Sequence, residues 1–189
     1  KALNANRFDA RLVPDRKELL RLLSELVPEN AVVANGGSAT LEETGVMDFL
    51  RSGRFRYLNR YAPGLTDEER RRVFLRSFDA DWYFASANAI TMDGQLYNID
   101  GNSNRVAAIA YGPRNVAVVA GANKLVQDLH EAEQRVKNWS VAANCLRLNI
   151  TTTGCTITGQ CTDCRSPERL CCNTLISSFQ RQPGRVKVF

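Results

Sequence analysis

AVVANGGSATLEETGV, residues 31–46, passes from an apolar run through two glycines into helix-favouring residues. Ala31–Ala34 predicts a short buried strand. Gly36 and Gly37 predict a tight turn, and Thr40 onwards predicts a helix. Strand, glycine loop, helix is an arrangement that points backbone N–H groups at an anion. Two glycines let a ligand approach the backbone closely, and Ser38 and Thr40 add hydroxyls. A phosphate, a carboxylate or a CoA-like anion suits such a place. A bare strand-to-helix turn would use the same residues. The stretch is neither a P-loop, since no Gly-Lys-Ser/Thr follows, nor a dinucleotide fingerprint, since the third glycine is missing.

The same alternation continues on both sides. Upstream, Asp15 and Glu18 form a capping pattern. Leu19, Leu22, Leu23 and Leu26 then share one helical face, and Pro28 ends the helix. Downstream, Thr66 with Glu69 opens the arginine-rich helix DEERRRVFLRSF. DWYFAS (81–86) and VAVVAG (116–121) read as two further buried strands. AITMDGQLYNI (89–99) predicts a hairpin whose Asp93-Gly94 takes the two positive φ values of a type I′ turn. After VAGAN, a helix with Asn123 as N-cap is expected to carry Leu125, Leu129, Ala132, Val136 and Trp139 on one stripe. VKVF at the end predicts one more strand. Buried strands alternating with amphipathic helices argue for an α/β domain with a largely parallel sheet and an inserted β-hairpin.

The 189 residues suit one domain, residues 1–189, able to bury its own core. The start lacks both an apolar signal core and an initiator Met, so the chain is expected to be processed or a fragment and to be cytoplasmic. No apolar run approaches the ~20 residues that span a bilayer. The 25 basic and 20 acidic residues give a net charge of +5, but the arginines are scattered, which argues against nucleic acid as the partner.

Two polar clusters invite a ligand. Asn98, Asp100, Asn102, Asn104 and Arg105 fall within eight residues. Turn chemistry explains much of this, yet Arg105 directly before VAAIA would sit at the core's rim, placed to clamp a carboxylate or phosphate. No glycine or closing Glu follows in calcium-loop register, so an EF-hand is excluded. Lys124 is placed to reach an anion in the same pocket. His130, the only histidine, lies beside Asp128 and Glu131 and reads as a surface residue.

CTITGQCTDCRSPERLCC, residues 155–172, holds five of the six cysteines. It is the densest part of a cysteine-rich segment from about residue 144 to 175. Disulfides, zinc, an iron–sulfur cluster and idle thiols are the readings, and a reducing compartment makes disulfides the weakest. The Cys161-x-x-Cys164 pair can bite one metal, with Cys155 and Cys171 completing four thiolates and Cys172 an alternative fourth ligand. Spacing alone does not choose the metal.

Four stretches carry a resemblance: NGGSATLEETGV (35–46), NAITMDGQLYNIDGNSNRVAA (88–108), YGPRNVAVVAGANKLV (111–126) and GQCTDCRSPERLC (159–171). In this order and spacing the chain resembles the LUD-domain family, named for lactate utilization. The resemblance implies a three-layer α/β sandwich similar to ribose-phosphate isomerases, glucosamine-phosphate deaminases and CoA-transferases. It implies a component of a redox system that oxidises lactate, with iron–sulfur partner proteins and a small anionic metabolite as ligand. It favours a [4Fe–4S] cluster at the cysteines over zinc. In such sequences the first cysteine follows a proline; here it follows Gly154, and the last is doubled. Kinship with the transferases makes Glu42 or Glu43 a candidate catalytic carboxylate, against the plainer reading of both as helix-dipole partners. The alternatives are a sugar-phosphate isomerase or CoA-transferase-like enzyme with a structural zinc clasp, and a non-catalytic ligand-sensing subunit. A homo-oligomer is among the assemblies open to it. No flavin or nicotinamide fingerprint is present, so the chain is not expected to oxidise lactate alone.

Overall fold

The computed structural model describes residues 1–189. Its helices are α1 (Ala2–Ala5), α2 (Arg16–Leu26), α3 (Ala39–Glu43), α4 (Val46–Arg51), α5 (Asp67–Arg76), α6 (Asn104–Ala110), α7 (Leu129–Arg135), α8 (Val141–Arg147) and α9 (Gly154–Thr158). Its strands are β1 (Asp9–Ala10), β2 (Val32–Asn35), β3 (Arg56–Tyr57), β4 (Trp82–Ala85), β5 (Ala89–Thr91), β6 (Leu96–Asp100), β7 (Asn115–Val118), β8 (Leu125–Val126), β9 (Asn173–Ser177) and β10 (Val186–Val188).

Six strands form one parallel sheet in the order β1-β10-β7-β4-β2-β3. Its inner strands β10, β7, β4 and β2 are mainly apolar because both faces are covered, with Lys187, Asn115 and Asn35 the polar exceptions. In β4, Trp82 and Phe84 point into one core with Leu19 and Leu23 of α2, Leu41 of α3 and Met47 and Leu50 of α4. Tyr83 and Ala85 point the other way, onto Ala108 and Ile109 of α6 and Ile90 and Leu96 of the hairpin. Helices, sheet, and helix with hairpin therefore make three layers, as expected.

A second sheet, β8-β5-β6-β9, forms beside the first. It packs with α7, α8 and the cysteine segment around a smaller core of Ala89, Tyr97, Val126, Ala132, Val136, Val141, Cys145 and Cys155. Helix α5 has no fully buried residue, only partly buried ones such as Val73 and Phe74, and starts on a complete capping box between Thr66 and Glu69.

Three local expectations are corrected. The hairpin exists, but only Gly94 takes a positive φ, 88°. Gly94 N–H donates to Thr91 C=O across a turn of three residues, so the glycine serves as the left-handed residue after the turn and Asp93 does not. The helix expected after VAGAN begins only at Leu129, capped by Asp128, whose side chain accepts from Glu131 N–H. Before it, residues 122–124 form a 3-10 turn, and Leu125–Val126 pairs in parallel with Ile90–Thr91. Sheet pairing thus takes Leu125 out of the apolar stripe, and Leu125 and Trp139 end up 52% and 75% exposed. The helix after the glycine loop also pauses at Gly45, φ 77°, before resuming as α4.

Candidate functional site

The C-terminal ends of β2, β4 and β7 open on one cleft, the usual place for a ligand on a parallel sheet. They contribute Gly37–Thr40, Ser86–Asn88 and Asn123–Lys124; the opposite wall comes from residues 99–105, α7, α8 and Leu170. The cavity holds about 460 Å³. Of the residues expected from sequence, Gly37, Ser38, Thr40, Glu43, Asp100, Asn104, Arg105 and Lys124 all line it. Glu42 and Gly36 do not. Glu42 turns outward to Arg51, 3.2 Å away and exposed.

Arg105 is the organiser of one wall. Its Nε donates to Asp100 Oδ1 (3.1 Å), Nη1 to Ser86 C=O and Asn98 Oδ1 (2.9 and 2.6 Å), and Nη2 to Asn88 Oδ1 and Ile99 C=O (2.9 and 2.7 Å). A guanidinium has five N–H groups, and all five are used. Arg105 therefore holds β4, β6 and α6 together, and has no donor left for the anion that its position in the sequence suggested. Asp100 completes the arrangement: its Oδ2 accepts from the backbone N–H of Arg105 and Val106, capping α6 where Ser103, at φ 62°, does not. Gly36 is explained by the same arginine. A Cβ there would stand 2.8 Å from Arg105 Cδ and 3.1 Å from the Tyr83 hydroxyl.

Lys124 reaches into the cleft from the turn after β7. Its Nζ donates to Thr40 Oγ1 (2.9 Å) and Ser86 Oγ (2.6 Å), and no carboxylate pairs with it. Burial, then the positive charges of Arg135 and Arg105, pull its pKa down to about 8, with Glu43 opposing. Ser38 meanwhile spends its hydroxyl oxygen on Leu41 N–H, 3.4 Å away, as N-cap of the five-residue α3. The positive character of the site thus resides in side chains, not in the short helix's dipole.

Arg60, Arg135 and Arg147 line the same cleft, and none of them is in an ion pair. Arg135 donates to Asn88 C=O (2.7 Å) and Ser140 Oγ (2.6 Å), and burial lowers its pKa. Arg147 leans on Asn144 Oδ1 (2.6 Å) near the glycine loop. Arg135 and Arg147 escaped the sequence reading because a π-helical turn, Val136–Ser140, joins α7 to α8. The turn makes the step from Arg135 to Ser140 five residues. Asn144 and Arg147 then follow at ordinary helical steps of four and three. A search for one face at period 3.6 does not assemble that row.

The thiols gather on the other side of α8. Cys155, Cys161, Cys164 and Cys171 line one small cavity with Lys137, Val141, Thr162 and Asp163. Cys172 lies outside it, exposed, its thiol donating to Arg169 C=O. The cavity is about 20 Å³, room for one water-sized species. The donor set fits a thiolate-bound metal, and backbone N–H groups of Gly154 and Ser166 hold the Cys164 thiol below its usual range. As they stand, no three of these groups converge closely enough to hold an ion. Burial pushes Cys145 and Cys171 up. Arg169 ties the loop, donating to Cys164 C=O, Cys171 C=O and Asp163.

Cleft and thiol cavity share a wall. From α8, Asn144 and Arg147 face the cleft, while Val141 lines the thiol cavity and Cys145 is buried in the small core. Leu170 lines the cleft, its neighbour Cys171 the cavity, and Cys172 N–H donates to Asp100 C=O. His130 is exposed and remote from both linings.

The LUD-domain family model matches residues 1–189. The chain belongs to the LUD-domain family. This LUD domain is also similar to a solved DUF162-family protein from Deinococcus radiodurans, with a TM-score of 0.54 over 99% of this chain and 90% of that one. At 14% identity that likeness shows the fold alone. eIF2B delta from Chaetomium thermophilum (TM-score 0.40, 18% identity, 63% of this chain and 50% of that one) is more distant. So is a ribose 5-phosphate isomerase from Plasmodium falciparum (0.35, 14%, 59% and 52%). Neither carries an argument about function. No curated protein matches the chain. Membership makes it related to lactate-utilization proteins. No helix is long and apolar enough to cross a membrane.

Proposed function

We propose that this LUD domain is the anion-binding component of a lactate-utilization redox system. The observation that carries the reading is Lys124, an amine without a carboxylate partner, set among the unpaired Arg60, Arg135 and Arg147 in one cleft. A concentration of uncompensated cations around fixed hydroxyl and amide groups binds a small anionic metabolite. Lys124 and the three arginines neutralise it; Thr40, Ser86 and Asn144 orient it; Arg105 and Asp100 keep the wall in place.

Cys155, Cys161, Cys164 and Cys171 would hold the metal group. A [4Fe–4S] cluster there would supply one-electron transfer to partner iron–sulfur proteins. The family's redox setting supports the cluster, and the single-ion size of the cavity favours zinc as the second reading of the metal. Exposed Trp139, Leu146 and Ile157 on the same lobe suit a protein partner.

Two measurements test this. Thermal shifts with phosphate, lactate and pyruvate should stabilise the wild type and lose most of that effect in Lys124→Met; equal shifts in both would sink the cleft reading. Iron, sulfide and zinc content of protein purified without oxygen tests the thiols. About four irons with matching sulfide would support the redox role. One zinc would make the segment a structural clasp, and no metal would remove the redox half. Glu43, exposed in the cleft without a partner, favours the enzyme alternative, a sugar-phosphate or CoA-ester reaction. Unchanged turnover of an identified substrate by Glu43→Gln would exclude that.

A further inference from the structure

Lys124 is the cation of the cleft that can also act as a nucleophile. The arginines around it stay protonated at any physiological pH and bind anions only as charges and hydrogen-bond donors. The Lys124 amine is half-buried, has no counter-ion, and is held by two hydroxyls, Thr40 Oγ1 and Ser86 Oγ. Those hydroxyls accept two of its N–H groups and fix its direction without stabilising its charge as a carboxylate would. A lysine desolvated beside other cations is the environment in which a neutral, nucleophilic amine persists near neutral pH.

We infer that Lys124 is a covalent capture site for small carbonyl compounds that carry a carboxylate or a phosphate, held as an imine on Nζ. The inference rests on the reading of the cleft as an anion site and adds a chemical step to it. The ligand's anionic group sits against Arg135 and Arg147, which brings its carbonyl carbon to the amine. The neutral Nζ attacks that carbon, and a C–N bond forms. The carbonyl oxygen gains two protons, the nitrogen gives up its two, the C–O bond breaks, and one water leaves. No oxidant or reductant enters. Glu43, whose charge Lys124 feels across the cleft, is the carboxylate placed to relay a proton. At a pKa of about 8, roughly a tenth of the amine is neutral at pH 7, against under about a thousandth for an ordinary lysine.

The test is reductive trapping on the full chain. Protein is incubated with pyruvate, and separately with glyceraldehyde 3-phosphate, then treated with cyanoborohydride and mapped by peptide mass spectrometry. The chain has five lysines. The expected result is one adduct, at Lys124, at least about tenfold above the other four, and suppressed by excess inorganic phosphate. Trapping by pyruvate alone assigns the site to 2-oxo carboxylates, by the phosphate compound alone to phosphorylated aldehydes and ketones, and by both to the shared chemistry. Lys124→Arg has no primary amine, so total labelling of the chain should fall to the level of the other four lysines. Labelling spread evenly over the lysines, or no adduct at Lys124 while phosphate still stabilises the wild type, overturns the imine and leaves the anion site standing. Loss of the phosphate effect in the wild type overturns the anion site itself.

Discussion

The six-stranded sheet and the cysteine lobe are built on different reserves. The sheet lies between two apolar cores of 15 and 14 buried residues, each with large fully buried side chains such as Phe84 and Leu96. The cysteine lobe closes over eight, two of them thiols and two of them alanines. The first region can stand on burial alone. The second has a small core in which two thiols and two alanines supply little apolar volume. Between them lies the cleft, with a rigid wall from the sheet and a lighter wall from α8 and residues 169–172.

The strongest way to break this comparison is to truncate both cores. Phe84→Ala should cost about 3–5 kcal/mol in urea unfolding, and Val136→Ala in the small core about 1–2 kcal/mol. Equal costs would mean that the lobes are one cooperative core. Next comes the joint between them. Arg105→Ala leaves the half-buried Asp100 without its partner and takes the arginine from Ser86 C=O, Asn98 Oδ1 and Ile99 C=O, an expected loss of about 3–5 kcal/mol, and Arg105→Lys should not rescue it because an ammonium cannot span five acceptors. A loss under about 1 kcal/mol would reduce the buried pair to a surface contact. On the lighter wall, Arg147→Ala should weaken phosphate binding about tenfold, roughly 1.4 kcal/mol, with little change in stability; calorimetric titration reads both.

A smaller effect sharpens the electrostatic side. The folded pKa of Lys124, about 8, lies below its ordinary 10.5. Between those values the unfolded chain binds more protons, so Lys124 makes stability rise with pH across that window. Burial drives the shift, Arg135 and Arg105 add to it, and Glu43 opposes it. Lys124→Met should therefore be relatively more stable than wild type at pH 7, and lose that advantage by pH 10.5, as followed by urea unfolding at each pH. An advantage constant with pH would show that the amine is not desolvated. The smallest expected effect is at Cys172, outside the thiol cavity: Cys172→Ser should leave bound metal unchanged, while Cys161→Ser removes it.

Much of this was readable before any coordinates. AVVA, DWYFAS and VAVVAG were visible as strands because a parallel strand covered on both faces is mainly apolar, and β2, β4 and β7 fall within a residue or so of them. α2 was visible because a leucine stripe follows a capping Asp15. The glycine loop was found, and so were Lys124 and the four thiols that share a cavity. What failed depended on partners distant in sequence. Leu125–Val126 reads as helix until it meets Ile90–Thr91. Asp93-Gly94 reads as a two-residue turn until the pairing of β5 with β6 sets three residues between Thr91 and Gln95.

The sequence by itself left Cys171 and Cys172 as alternatives, and it determined the alternation of buried strands and capped helices and the glycine turn after β2. These follow from local propensity and periodicity, which act over a few residues. Only the tertiary structure decided what the charged groups do. Arg105 looked like a ligand clamp and proved to be saturated by Asp100, Asn88, Asn98 and two carbonyls. Lys124 was placed by the sequence in reach of an anion, and the fold added that it has two hydroxyl partners and no counter-ion. Arg135 and Arg147 had no visible role until a π turn aligned them. A side chain's charge is written in the sequence, but its task depends on which acceptors and counter-charges the fold brings within about 3 Å; for Lys124 these are Thr40 and Ser86, 84 and 38 residues away.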